Sequence, residues 1–333
     1  MQENYFNDNI RSDSTEYIIK GKKSNRFIYV LNIVLFLFTF FTTTMAGVAW
    51  LNIDPYQLEN LHYGFTFSIL IMLIITAHEF GHYFAAKYHK IDVTLPYYIP
   101  FPFLFLNPFG TMGAVIKMKS QTQTKKSLFD VGVAGPIAGW VITIIILLIG
   151  YMTVPQVSYL YDIHPDYIME GIPVTGLTFG NNLTLLFFEK IFGLNHGIFI
   201  PPMNEIYHYP FLCAGWFGML ITSLNMMPVG QLDGGHISYA MFGENHKYAA
   251  YAVFFLLLIF GLTGLLPLAG IEFKYGSLNW LVWVLLILII IKIKHPPVVS
   301  NAVEPLGTVR TLIGWFSYFI FITTFFPIPI SDI

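Results

Sequence analysis

The sequence predicts an all-α integral membrane protein of about seven transmembrane helices, with one re-entrant, β-hairpin-like segment among them. Three observations carry this. Of the 333 residues, 55% are hydrophobic and only 11% charged, against about 25% charged in a typical soluble domain. Several charge-free stretches approach the roughly 20 residues that a bilayer-crossing helix needs. One further charge-free stretch is too rich in proline to be a single helix.

Residues 1–26 mix Glu3, Asp8, Asp13 and Glu16 with Arg11, Lys20, Lys22, Lys23 and Arg26. They read as a polar cytoplasmic tail without a cleavable signal. Residues 27–333 read as one membrane-embedded domain. Its spans are 27–50, 63–77, 131–154, 209–232, 248–271, 275–291 and 311–331, the second continuing into a charged motif. With the N-terminus inside, the inner segments carry fifteen Lys and Arg and the outer loops only Lys190 and Lys274, as the positive-inside rule requires.

The re-entrant segment is placed at about 93–119. It holds Pro96, Pro100, Pro102 and Pro108, and each interior proline costs a helix about 3 kcal/mol. Both of its ends lie on the inner side by the charge count. A turn at 107–110 and an extended strand at 111–119 fit it; a loop in the headgroup region is the alternative. The outer loop, about 155–207, contains an apolar patch at 178–188 suited to an interfacial helix.

A net charge of −2 gives no footing for nucleic acid, and the single cysteine, Cys213, rules out an internal disulfide framework or a Cys-rich zinc cluster. A metal here must use histidine and carboxylate. His78-Glu79-Phe80-Gly81-His82 follows a charge-free run from Tyr63 to Ala77. On a helix, positions i and i+4 share a face, so both imidazoles reach one ion, with Glu79 one residue round beside its water. The alternative is a pair of helix-end histidines facing water. Membrane position disfavours it, because an unpaired carboxylate there costs about 3 kcal/mol.

Catalytic zinc takes a third protein ligand and keeps a position for water. The place of a third histidine six residues on is Tyr88, and His89 is two helical turns away. Asp233 is the best candidate: Pro228 and Gly230 loosen the chain before it, and Gly234 and Gly235 permit close approach. A helix cap in a cytoplasmic turn is the competing reading. Glu189, Glu205 and Glu272 lie outside by the charge count, and Glu244 and Glu304 lie in polar loops. His208 reads as interfacial, and His236 as a plain cytoplasmic histidine or a support for the site. Ala134–Gly139 reads as a small-residue packing face, with Pro136 in a helix's first turns.

These motifs resemble the site-2 protease family of intramembrane zinc metalloproteases. The matching elements are HEFGH, the Asn-x-x-Pro-x-x-x-Leu-Asp-Gly stretch at 225–234, Gly110-Thr111-Met112-Gly113, and Ala134-Gly135-Pro136-Ile137-Ala138-Gly139. The resemblance covers roughly 62–331. It implies one zinc held by His78, His82 and Asp233, with Glu79 as general base. It assigns Asn225 to substrate orientation or oxyanion stabilisation, and Gly110 and Gly113 to the substrate-binding hairpin. A buried amide bonding a neighbouring helix remains the other reading of Asn225. The resemblance further implies a compact form without PDZ or CBS domain and a single-span membrane protein or peptide as substrate. A bacterial cytoplasmic membrane is the expected location, and the charge count puts the site in its cytoplasmic half. A metal or proton-coupled transporter is the alternative. Transport needs ionisable groups along a path through several spans, whereas the candidate ligands cluster at one depth.

Overall fold

The computed structural model describes residues 25–119, 124–196, 199–271, 273, 275–297 and 305–332. The polar tail expected at 1–26 therefore lies almost wholly outside the described residues.

The first two helices, α1 (Asn25–Ala49) and α2 (Leu61–Tyr88), pack through small residues: a Cβ on Gly47 would lie 2.7 Å from the Gly64 carbonyl. The Thr43 and Thr44 hydroxyls of α1 are satisfied locally, each donating to the carbonyl four residues back at 2.8 Å, as an apolar setting favours. Between α2 and the third helix lies an antiparallel hairpin of β1 (Tyr97–Pro100) and β2 (Thr111–Val115). Tyr97 pairs with Val115 and Pro100 with Thr111, with a bulge between Tyr98 and Pro100. Its turn forms where the sequence places it. The Asn107 carboxamide accepts from the Phe109 N–H at 3.1 Å and donates to the Thr111 carbonyl at 2.8 Å. Gly110 takes a φ of +75°, which glycine adopts without penalty. The Thr42 hydroxyl donates to the Gly110 carbonyl at 2.6 Å, tying the hairpin tip to α1. The strand expected over 111–119 ends at Val115, and an isolated Val93–Met118 bridge closes its base.

The helix α3 (Lys125–Thr153) opens on a Thr124–Ser127 capping box. It begins before residue 131, so Pro136 lies inside it and not in its first turns. Proline there leaves the Gly132 carbonyl without a helical donor. After it come α4 (Ser158–Ile163), α5 (Tyr167–Glu170), β3 (Leu177–Phe179) and α6 (Leu183–His196). The patch expected as one helix at 178–188 is divided. Phe179 ends a strand paired with β4 (Ile330–Asp332), and the Asn182 carboxamide caps α6 by accepting from the Leu185 N–H at 2.8 Å.

The helix α7 (Pro210–Asn225) starts on proline and stops at Asn225, and residues 226–232 are non-helical. The chain resumes as α8 (Asp233–Phe242), α9 (His246–Thr263), α10 (Asn279–Leu286) with a π turn at Ile287–Ile291, and α11 (Thr308–Thr324).

The expectation of about seven spans is met in part. Among the described residues, four helical stretches are long and apolar enough to cross a membrane: α1, α2, α3 and Asp233–Ala269. Pro210–Asn225 and Asn279–Ile291 are shorter, and α11 has 17 residues. A charge-free run overstates a span wherever proline and glycine unwind its end, as Pro228 and Gly230 do here. The main core joins α2, α3 and α7 around Phe67, Ile71, Leu147 and Trp216. Large apolar side chains stand exposed on α1 (Phe27, Ile33, Leu37), α9 (Phe255, Ile259) and α11 (Leu312, Phe319), surfaces that suit a lipid solvent.

Candidate metal centre

Helix α2 places His78 and His82 one turn apart, and both are buried. Their Nε2 atoms are 3.1 Å apart, and each is 3.3 Å from the Asp233 Oδ2. The three ligand atoms converge on a volume the size of one cation. The donor set suits zinc, which takes imidazole nitrogen and carboxylate oxygen.

The approach of Asp233 follows from the break after α7. Gly230, with a φ of +52°, donates its N–H to the Ile293 carbonyl at 3.0 Å. A Cβ on Gly234 or Gly235 would overlap the backbone of Met226 or Gly230. The two glycines therefore let the start of α8 fold back against the unwound segment, which brings Asp233 to α2. Asn225, the last residue of α7, reaches the same place, its Nδ2 being 3.4 Å from the His78 Nε2.

Helix α3 sets the imidazoles. The Val131 carbonyl can only accept, so the His82 Nδ1, 2.7 Å from it, carries the proton. In the neutral ring the Nε2 lone pair then faces Asp233, an outer-shell arrangement typical of metal-bound histidine. Gly135 and Gly139 lie against the rings: a Cβ at Gly135 would overlap the His82 ring, and one at Gly139 would lie 3.2 Å from the His78 Cβ. Glu79 is buried beside them, with the backbone of Ile116, directly after β2, near its carboxyl. Of the hairpin glycines, Gly110 is held by α1, whereas a Cβ on Gly113 would meet nothing within 4 Å.

The other candidates separate from this centre. His89 bonds Asp130 at 2.8 Å, and Arg310 grips the same carboxylate with two bonds of 2.8 Å. His236 packs on Gly132 and lies 2.7 Å from the His295 Nε2. Burial, with His236 and His246 nearby, pushes the His295 pKa down to about 4. His208, expected at the interface, is instead 2% exposed, buried together with Glu205. The sequence has no pattern linking His236 to His295, or Val131 to His82; both pairings depend on helix packing.

A family model for peptidase family M50 matches residues 66–261 of the 333. The probable zinc metalloprotease EGY1, chloroplastic, of Arabidopsis thaliana is 27% identical over 320 residues, covering 90% of this chain and 53% of that protein. The protein of the same name from Oryza sativa subsp. japonica is 28% identical, covering 90% and 50%. The probable zinc metalloprotease EGY2, chloroplastic, of Oryza sativa subsp. indica is 29% identical over 190 residues, covering 56% and 31%. The chain spans about half the length of the two EGY1 relatives. No solved structure matches it. HEFGH, Asn225 and Asp233 all fall inside a match that takes in more than half of the chain, and the chain therefore belongs to peptidase family M50, the site-2 protease family that its motifs resemble.

Proposed function

We propose that the protein is an intramembrane metalloprotease that hydrolyses peptide bonds of membrane-spanning substrates, with zinc held by His78, His82 and Asp233. The carrying observation is the convergence of these three ligand atoms beside the buried carboxylate of Glu79.

When bound, zinc supplies an electrophile that acidifies water and polarises the scissile carbonyl. Glu79 accepts the proton as the water oxygen bonds to the carbonyl carbon. It then hands a proton to the amine nitrogen as the C–N bond breaks. Asn225, whose amide faces the site, donates to the carbonyl oxygen as negative charge develops there. A transmembrane helix shields its own amides, so the substrate has to unwind. The edge of β2 away from β1 has no strand partner among the described residues, and it supports an extended peptide added by β-augmentation. Gly113 leaves that edge without a side chain, and Gly110 fixes the turn that aims it. We place the N-terminus and the site on the cytoplasmic side of the membrane from the Lys and Arg asymmetry, and take that membrane to be a bacterial one; the named relatives are chloroplastic by name.

The test is a comparison of membrane proteomes from cells producing the wild type or Asp233→Ala. Single-span proteins should accumulate with the variant. Identical proteomes at equal expression would count against proteolysis. A finer test addresses the strand. Gly113 holds a φ of +91°, and its N–H donates to the Thr111 hydroxyl at 3.0 Å; proline can satisfy neither condition. Gly113→Pro should lower cleavage by about 10²-fold through misplacement of the substrate, with zinc content unchanged. Wild-type turnover in this variant would remove β2 from the reading.

A further inference from the structure

A second cluster of ligand atoms lies far from HEFGH. His164 follows α4, and Glu205 and His208 lie just before α7. The His164 and His208 Nε2 atoms are 3.0 Å apart, and the Glu205 Oε2 is 3.4 Å from the His208 Nε2. The cluster lies at the opposite end of the bundle from the first centre. His208 bonds the Trp50 carbonyl at the end of α1, and it directly precedes α7, whose last residue, Asn225, reaches His78. Sixteen helical residues separate the two ends by about 24 Å at 1.5 Å per residue.

Direct hydrogen bonds do not account for this arrangement. The His208 Nδ1 lies 2.6 Å from the Trp50 carbonyl, which can only accept, so Nδ1 carries the proton. In the neutral ring the Nε2 lone pair then points at His164 and Glu205. A proton on the His164 Nε2 satisfies the two imidazoles. It leaves the Glu205 Oε2, in a residue 1% exposed, buried without a hydrogen bond, while Tyr167 donates to the other oxygen, Oε1, at 3.0 Å. Leaving a buried carboxylate oxygen unsatisfied is costly. A divalent cation answers all three atoms at once. The Nδ1–H to backbone carbonyl bond is also the usual outer-shell support of a metal-bound imidazole, the same device by which Val131 sets His82.

We propose that His164, Glu205 and His208 form a second zinc site, one that clamps the segment between α3 and α7 to the end of α1. Two imidazole nitrogens and one carboxylate oxygen match zinc's borderline preference, and water completes the coordination. The main core between the two centres is apolar, so the second site is a separate structural one and not a station on a transport path.

The test is zinc stoichiometry in the full chain, purified in detergent, saturated with zinc and desalted. Wild type should retain two zinc ions per chain, His164→Asn one, Asp233→Ala one, and the double variant none. His164 is only partly buried, so its replacement is the mildest way to open the site. Cobalt added to the Asp233→Ala protein gives an independent readout: the d–d absorption of low-coordinate Co2+ should appear, and Glu205→Gln should abolish it. A wild type holding a single zinc that Asp233→Ala alone removes, with no cobalt band in that variant, would overturn the proposal. Failure of the first centre reads differently, as zinc content that Asp233→Ala leaves intact.

Discussion

Replacing Glu79 with Gln should reduce cleavage of a membrane substrate by about 10²–10⁴-fold, the usual contribution of a general base, while zinc content stays that of the wild type. The carboxyl is buried on the ligand-bearing helix, directly after His78, with the backbone at the end of β2 beside it. The carboxamide preserves its shape, so the metal ligands keep their places. It cannot take a proton from water. Zinc analysis and turnover on the same preparation separate the effects. Full turnover in this variant would refute the catalytic assignment; loss of zinc would mean instead that Glu79 supports the ligands.

Gly135→Ala, a change of one methyl group, should lose most of both zinc and activity. The added Cβ would overlap the His82 ring. That ring cannot step aside freely: its Nδ1 is fixed to the Val131 carbonyl at 2.7 Å, and its Nε2 faces His78 and Asp233. Loss of outer-shell orientation typically lowers metal affinity by about 10–100-fold, and the methyl displaces the ligand as well. A zinc titration of the purified variant measures this. Gly193→Ala is the control, because a Cβ there makes only an ordinary contact, 3.4 Å from Ile200, and should leave zinc affinity unchanged. Wild-type zinc affinity in Gly135→Ala would show that α2 and α3 can separate at no cost.

The legible parts of the site obey short-range rules. The pairing of His78 and His82 follows from helical periodicity, and the hairpin turn from Asn107, Pro108 and Gly110. Asp233 was reachable because Pro228, Gly230 and the following glycines announce a break in an apolar run. Span number was less legible. A charge-free run such as 209–232 records where water is excluded and not where the helix stops. His208 misled for a related reason: its place on the outer side by the charge count suggested the interface, yet Trp50, Glu205 and His164 surround it. The contacts of Gly135 with His82, and of His236 with His295, involve residues 53 or more positions apart. No local pattern encodes such pairs.

The hydrogen bond from the Gly230 N–H to the Ile293 carbonyl also bears on how much chain the centre requires. The family match ends at residue 261. Ile293 lies beyond that limit, as does His295, against which His236 rests. A fragment cut near residue 270 would keep HEFGH, Asn225 and Asp233, yet it would strip the partners from the backbone that turns Asp233 toward α2. The backbone support of Asp233 therefore extends past the family match, to a carbonyl sixty residues downstream of Asp233.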